Sequence, residues 1–207
     1  MTERGFAKMH KKRIGSLAVF LLCLSIMGSG TLAYFTDSTT AHNVITSGNI
    51  DIKLIETRAD GSTFEDVIGV MPGTAVDKIV QVSNVGPNDA WVRVSVTKEI
   101  TLNNEGRTKG DADKYLHITY NTDDWTKGDD GYYYYNKPLK AKGSDGDTTN
   151  PLFKEVLFDA AMGNEYQNST AQVYVYAQAT QYDNNADGKN ETVFDATGWP
   201  KKVQEAK

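Results

Sequence analysis

The stretch Trp91-Val92-Arg93-Val94-Ser95-Val96 decides the fold class, because its valines stand at every second position with polar residues between them. Successive side chains of a β-strand point to opposite faces, so this stretch has one apolar face and one wetter face. The same period recurs at residues 50–54, 80–82, 116–120 and 173–177, and residues 132–135 and 152–158 are further strand candidates. The sequence therefore predicts a protein built mainly of strands.

Clusters of Gly, Pro, Asn and Asp separate these runs, for example at residues 72–73, 86–89, 103–110, 128–131 and 143–146. Such clusters are typical of turns. No long apolar pattern at helical spacing is found, and short helical turns are predicted only near residues 111–115 and 192–199. Short strands broken by turns favour an all-β fold, which we predict to be an antiparallel, jelly-roll-like β-sandwich.

The first 33 residues predict a signal peptide rather than a part of this fold. Residues 1–13 are basic, residues 14–27 are uncharged and mostly apolar, and small residues follow up to Ala33. This order is typical of secretory signal peptides, so we predict cleavage between Ala33 and Tyr34 and a single domain over residues 34–207. The alternative is an uncleaved anchor, but a transmembrane helix needs about 20 apolar residues. Membrane contact is therefore expected only through the signal peptide before cleavage.

The composition excludes several classes of function. The 207 residues include 22 basic and 27 acidic ones, which gives a net charge of −5. A general nucleic-acid binder is not expected, because phosphate neutralisation needs clustered Lys and Arg. The single cysteine, Cys23, lies in the predicted signal peptide. The predicted mature chain therefore has neither a disulfide nor a zinc site of the Cys/His type.

Several segments resemble the camelysin/TasA family of exported proteins. They are the junction at residues 30–37 (GTLAYFTD) with residues 47–52 (SGNIDI), residues 71–74 (MPGT) leading into residues 82–86 (VSNVG), residues 89–94 (DAWVRV), and residues 131–139 (GYYYYNKPL) with residues 151–153 (PLF). The junction is the most specific of these. The resemblance implies a jelly-roll-like sandwich, secretion by a Gram-positive bacterium to the cell surface or biofilm matrix, and processing by a SipW-type signal peptidase. It also implies that some members form fibres and that others are described as casein-cleaving metallopeptidases.

The residues supply no complete catalytic motif. Zinc peptidases commonly place two histidines one helical turn apart beside a glutamate. His42 and His117 of the predicted mature chain are far apart, and neither lies in an HExxH sequence. His117 alternates with Leu116 and Ile118, which predicts an exposed histidine on a strand. No GxSxG is present, and the acidic pairs at residues 123–124 and 129–130 are typical of turns. We therefore predict no catalytic residues.

The strongest signal for a ligand is a calcium-loop pattern after the last predicted strand. Asp183, Asn185 and Asp187 stand at alternate positions, Gly188 follows, and Glu191 comes three residues later. This order matches the start of an EF-hand loop, although the final bidentate glutamate and the flanking helices are missing. We predict calcium ligands at Asp183, Asn185, Asp187 and Glu191. The alternative is an Asx-rich turn.

Tyr132–Tyr135 form an aromatic run shortly after Trp125. Two outward tyrosines beside a tryptophan could stack on sugars or on another subunit. The simpler interpretation is an aromatic strand in a hairpin, because tyrosine favours strands.

The sequence favours an exported, non-enzymatic structural protein that associates with itself or with a homologous fibre subunit by strand addition. We predict that residues 34–48 are the assembly strand, because they contain no proline and carry Phe35, Val44 and Ile45 to set the register. The alternative is that this segment pairs within its own chain. Two other functions stay open: a secreted camelysin-like metallopeptidase, and a carbohydrate-binding β-sandwich module with a structural calcium.

Overall fold

The structure is a computed structural model that describes residues 44–46, 49–65, 70–183, 185 and 192–200. The chain divides into two units, Met1–Ala33 and Tyr34–Lys207, and every described residue belongs to the second. The predicted signal peptide and cleavage site lie outside the described residues and stay predictions.

The described part of the chain is a two-sheet β-sandwich. Its strands are β1 (Val44–Thr46), β2 (Ile52–Thr57), β3 (Ala75–Asn84), β4 (Ala90–Thr101), β5 (Lys109–Gly110), β6 (Leu116–His117), β7 (Trp125–Lys127), β8 (Tyr133–Tyr135), β9 (Phe153–Phe158) and β10 (Thr170–Gln181). A helical turn, α1 (Ala112–Tyr115), and two 3₁₀ turns, Asn164–Tyr166 and Val193–Asp195, complete the described elements. The six-stranded sheet has the order β1–β10–β4–β8–β7 with β5 on β4, and the four-stranded sheet has the order β2–β3–β9–β6. The predicted all-β sandwich is confirmed.

The six-stranded sheet is built around β4 and β10. The two strands pair antiparallel over their whole length, from Ala90 opposite Gln181 to Thr101 opposite Thr170. The alternation read from the sequence is observed, because Val92 and Val94 are fully buried between the two sheets. The residues between them therefore face outward, and this outer face carries the site described below.

The four-stranded sheet contains a β-bulge in β3. Its register with β9 shifts between Asp77 and Val80, and Lys78 lies at this irregularity. Although Lys78 is a lysine, it is only 3% exposed. Its Nζ lies 3.1 Å from Oε1 of Glu56 and 4.0 Å from the ring centroid of Phe64. The carboxylate and the ring offset the cost of burying this charge.

The turn between β3 and β4 is organised by a buried asparagine. Asn84 is fully buried; its Nδ2 donates to the carbonyl of Asn88 at 2.7 Å, and its Oδ1 accepts from the N–H of Gly86 at 2.9 Å. The amide therefore satisfies polar backbone groups on both sides of the turn. This explains why a polar residue ends the buried face of β3.

Most of the strands predicted from periodicity are present as β2, β3, β4, β8, β9 and β10, and the two predicted helical turns are present as α1 and Val193–Asp195. The strand predicted at residues 116–120 is shorter, because only Leu116 and His117 pair with β9. Beyond them the chain leaves the sheet, and the N–H of Asn121 donates to the carbonyl of Leu152 instead.

The segment predicted as an assembly strand needs a correction at its C-terminal end. Val44–Thr46 form β1, which pairs parallel with Ala177–Ala179 of β10 in the same chain. These three residues therefore belong to the chain's own sheet, as in the alternative considered above. The reason is that β4 pairs with only one side of β10, which leaves the other side to β1. The side chain of Val44 also packs against the core. Residues 34–43 and 47–48 lie outside the described residues, so an assembly role for them stays a prediction.

Candidate functional site

The predicted calcium segment is only partly described. Asp183 lies in the turn after β10 and Asn185 is 8% exposed, while Asp187 and Glu191 lie outside the described residues. The Oδ1 of Asn185 accepts from the N–H of Thr197 at 2.7 Å and from its hydroxyl at 3.1 Å. A cation at this oxygen would have to displace both hydrogen bonds, and calcium binding stays a prediction. Within the described ranges, no three His, Cys, Asp or Glu side chains are grouped so that they could hold a metal ion.

Asn185 instead fastens the C-terminal strap, by which we mean residues 192–200. Its Nδ2 donates to the carbonyls of Gln181 at 2.6 Å and Thr197 at 3.1 Å, while the hydroxyl of Thr180 donates to the Thr197 carbonyl at 2.9 Å. At the start of the strap, Thr192 and Asp195 form a reciprocal capping box. The strap is therefore tied to the end of β10 by side-chain hydrogen bonds that are mostly shielded from water.

The C-terminal strap covers part of the outer face of the six-stranded sheet. Val193 is 2% exposed, and together with Ala196 it packs on three outward aromatic residues. Those residues are Trp91, Tyr132 and Tyr134. They form a second apolar cluster, distinct from the interior of the sandwich, so this sheet is buried on both faces where the strap crosses it.

The tyrosine run divides between the two faces of the sheet. Tyr133 and Tyr135 belong to or pack against the interior, whereas Tyr132 and Tyr134 lie under the strap, 6% and 7% exposed. The run forms β8, which pairs with β7 in a hairpin. The hairpin interpretation is confirmed, and the two outward tyrosines are covered rather than open to a ligand.

Arg93 is the polar centre of this second cluster. Its guanidinium lies between two rings, 4.1 Å from the centroid of Tyr132 and 4.6 Å from that of Trp199. Nη1 donates to Oδ2 of Asp130 and to the hydroxyl of Tyr134, both at 3.0 Å, and Nε donates to Oε1 of Gln178 at 2.9 Å. The planar guanidinium stacks between two rings and donates to several acceptors at the same time, a geometry that the compact ammonium group of a lysine does not offer.

The hydroxyl of Tyr134 links Arg93 to Asp130. The hydroxyl of Tyr134 also donates to Oδ2 of Asp130 at 2.7 Å. Burial raises the pKa of Tyr134, and the hydrogen bond to Asp130 raises this pKa further. Tyr134 therefore stays neutral and keeps donating to Asp130 over the ordinary pH range.

His117 lies at the opposite side of the sandwich, on β6. Its side chain is 46% exposed, as predicted, and its Nε2 lies 2.8 Å from Oδ2 of Asp159. The N–H of Ala161, and then His117, lower the pKa of Asp159. A single carboxylate beside one histidine is an exposed side-chain contact rather than a zinc ligand set. His42 lies outside the described residues.

The edge formed by β1 and β2 is the third candidate region. Near its end, β2 is covered by its own loop, because the carbonyl of Glu56 accepts from the N–H of Phe64 at 3.0 Å. Backbone groups alternate in direction along a strand, so those of Ile52 and Leu54 point outward as Glu56 does. In the part of the chain that the structure describes, no strand pairs with them. β1, the edge of the other sheet, is in contact with β2, so the two edges border one another.

Sequence reasoning missed the roles of Arg93 and Trp199. A signal was present, because Trp91 and Arg93 occupy the same outward face of β4. A tryptophan on a face taken to be wet indicates that something covers that face. Nothing local indicated that residues 192–200, far along the chain, supply the cover.

No helix within the described ranges is long and apolar enough to cross a membrane. Residues 8–137 match the sequence pattern of a family described as camelysin metallo-endopeptidase. This range includes β1 to β8 and ends before β9. No curated protein matches the chain. Because the match spans more than half of its length, the chain belongs to the camelysin family.

Proposed function

We propose that this chain is an exported, non-enzymatic structural protein of the cell surface or biofilm matrix of a Gram-positive bacterium, and that it assembles by strand addition. Family membership supports the general class. The assembly step rests on the contact between β1 and β2, which are edge strands of the two sheets. The backbone groups of Ile52 and Leu54 that point away from β3 lie beside the three-residue strand β1.

Strand addition uses these two features together. An open strand edge offers N–H and C=O groups that an extended segment of another chain can satisfy. Residues 34–43 lead directly into β1, contain no proline and carry Phe35 as an apolar anchor. A segment given by one chain and an edge offered by the next make a head-to-tail contact, which gives filaments rather than closed dimers. The partner is then a second copy or a homologous fibre subunit.

Two nested deletions test this proposal in the mature protein. Removing residues 34–43 spares β1, while removing residues 34–46 takes β1 away as well. We expect the shorter deletion to leave the circular dichroism spectrum and the melting temperature unchanged and to abolish the large assemblies seen by negative-stain imaging and sedimentation. The longer deletion should also prevent assembly, at some cost in stability.

Assembly that persists after the shorter deletion would refute the assembly role of residues 34–43. A variant of β2, Leu54→Pro, tests the accepting side, because proline removes an outward N–H from the edge strand. Its matched control is Lys53→Pro, in which the lost N–H is one that pairs with β3. We expect the control to destabilise the fold and Leu54→Pro chiefly to reduce assembly.

Export is the other part of the proposal. A SipW-type signal peptidase is proposed to cut between Ala33 and Tyr34, after which the membrane no longer holds the chain. N-terminal sequencing of the protein outside the cell should begin within a residue or two of Tyr34. Recovery of only the full-length species in the membrane would contradict this.

A metallopeptidase is the second candidate, and the description of the matched family favours it. If the chain is a peptidase, casein cleavage should be lost on chelation and in variants of its metal ligands. We expect purified mature protein to leave casein intact and any trace activity to survive His117→Ala. The reason is that no third His, Cys, Asp or Glu of the described residues joins His117 and Asp159 in a group that could hold a metal ion. Chelator-sensitive cleavage that is lost in this variant would favour the peptidase.

A further inference from the structure

Tyr120 and Tyr133 form a ring pair that is stacked nearly parallel. Their ring centroids are 4.1 Å apart and their planes differ by 21°. Besides burial, which raises the pKa of Tyr120, the hydroxyl of Tyr133 lies close enough to that of Tyr120 to raise this pKa further. Because the rings are nearly parallel and their hydroxyls are close together, the two side chains run in the same direction. The carbons ortho to each hydroxyl therefore lie at the same end of the stack.

The pair joins separate parts of the sandwich. Tyr133 begins β8 of the six-stranded sheet, while Tyr120 lies in the segment between β6 and β7 and packs edge-on against Phe153 of the four-stranded sheet. Both tyrosines are half-buried, so part of each ring is open to solvent. The surrounding structure holds the two rings together while a small oxidant can still reach them.

We propose that Tyr120 and Tyr133 are a site of intramolecular dityrosine formation. The oxidant is hydrogen peroxide used by a haem peroxidase, or another one-electron oxidant of tyrosine. Each phenol loses one electron and its hydroxyl proton, which gives two phenoxyl radicals. The unpaired electrons form a bond between two ortho carbons, and the hydrogen on each of these carbons then moves to the phenolic oxygen. In total the pair loses two hydrogen atoms, and one hydrogen peroxide is reduced to two waters.

The stacked geometry holds the two reacting rings together before any radical forms. Two tyrosyl radicals in solution must meet, whereas here the reacting carbons are already held close together, and proximity of this kind accelerates a reaction strongly. Burial raises the pKa of Tyr120, and the neighbouring Tyr133 raises it further. The phenol is therefore protonated near neutral pH, so the electron and the proton leave together.

The chain carries its own control pair. Tyr115 and Tyr166 are nearly as close, at 4.7 Å, but their planes meet at 62°. The hydroxyl of Tyr166 is bonded to the backbone N–H of Asp111 rather than to the other tyrosine. Both rings of this pair are also more deeply buried. It should therefore couple poorly under conditions that couple Tyr120 to Tyr133.

The test treats the full mature protein with hydrogen peroxide and a haem peroxidase at low protein concentration. We expect the monomer to gain dityrosine fluorescence and to lose two hydrogens in mass, with a peptide that joins Tyr120 to Tyr133. Tyr133→Phe and Tyr120→Phe should each lower this yield by about tenfold, because one coupling partner is gone, whereas Tyr166→Phe should keep it. Circular dichroism confirms that each variant is folded.

Three results would overturn the proposal. The first is a fluorescent monomer whose cross-linked peptide joins other tyrosines, with wild-type yield in Tyr133→Phe. The second is product found only as covalent dimers that form faster at higher protein concentration, and the third is failure with both the peroxidase and a light-driven one-electron oxidant. The light-driven oxidant is used in a parallel experiment. If it yields dityrosine where the peroxidase does not, the peroxidase cannot reach the rings; if it also fails, the rings are not placed to couple. Failure with both oxidants contradicts the proposal.

Discussion

Both ends of the described chain lie on the six-stranded sheet, but they are held there in different ways. β1 contributes three residues to the edge of the sheet, and its contact with β10 is a short parallel pairing. The C-terminal strap lies across the outer face, where Arg93, Asn185 and an aromatic cluster hold it. An end held by a short edge pairing costs little to detach. An end locked by an arginine whose side chain is only 12% exposed is part of the fold.

The largest effect is expected from Arg93→Ala, which removes the centre of the strap's attachment. Asp130 and Gln178 each lose the hydrogen bond from the guanidinium, and the rings of Tyr132 and Trp199 lose the group between them. We expect a loss of about 3 kcal/mol in the free energy of unfolding, measured with urea. Lys140→Ala is the control, because the Lys140 side chain is 47% exposed, against 12% for Arg93, and its ion pair with Asp89 should contribute less than about 1 kcal/mol. Equal losses would show that the Arg93 cluster does not hold the strap.

Asn185→Ala should detach the strap from β10 without touching the aromatic cluster. It removes the acceptor for the Thr197 N–H and a donor to two carbonyls. We expect a loss of about 2 kcal/mol and faster proteolysis within residues 186–200. Asn88→Ala is a suitable comparison, since its side chain makes an exposed bond to the Asn49 carbonyl. A proteolysis pattern identical to that of the wild type would contradict the role given to Asn185.

A calcium titration tests whether a bound cation also stabilises the C-terminal end of the described chain. A ligand that binds only the folded state stabilises it by mass action, and a modest excess is worth about 1.5 kcal/mol. If the predicted site exists, calcium raises the melting temperature of the wild type, and Asp187→Ala removes the increment. Asn185 serves as a calcium ligand only if Asn185→Ala also removes it. Equal melting temperatures in calcium and in chelator would refute the site.

Val44→Ala tests the other end of the comparison. Val44 is half-buried and packs against the core from β1. We expect a loss of about 1 kcal/mol, smaller than at the strap, because the site is at an edge and can collapse. Hydrogen exchange of β1 amides should quicken while that of β4 and β10 amides is unchanged. If the amides of β1 exchange more slowly than those of the strap, β1 is held more firmly than the strap, which contradicts this prediction.

The smallest effect concerns pH. Burial raises the pKa of Tyr134 above the ordinary value of 10.0. The folded state therefore favours the neutral phenol; this stabilisation is complete below about pH 10 and is lost as pH rises through the folded-state pKa. The free energy of unfolding of the wild type should fall relative to that of Tyr134→Phe when urea titrations are repeated at about pH 11. A constant difference between the two proteins would contradict this.

The sequence was informative where a signal is local and long enough. β4 and β10 each run for twelve residues, so their period of two is unmistakable, whereas β5 and β7 have two and three residues and show no period. The parallel pairing of β1 was not predicted, because it depends on a partner far along the chain. The asparagine and aspartate pattern around Asn185 indicated either a turn or a cation site, and only the position of Thr197 shows what its oxygen contacts.

The position of β10 has a consequence for how the chain folds. β10 lies between β1 and β4, and β9 lies between β3 and β6, yet both strands are among the last to be synthesised. The hairpin of β2 and β3 can form early, but β4 lacks its main partner until Gln181 has been made. At about 5–20 residues per second, β4 waits several seconds, and such non-local pairing is slow in itself. We therefore expect a chain with this topology to lack its complete six-stranded sheet while it is being made, which suits the export proposed above.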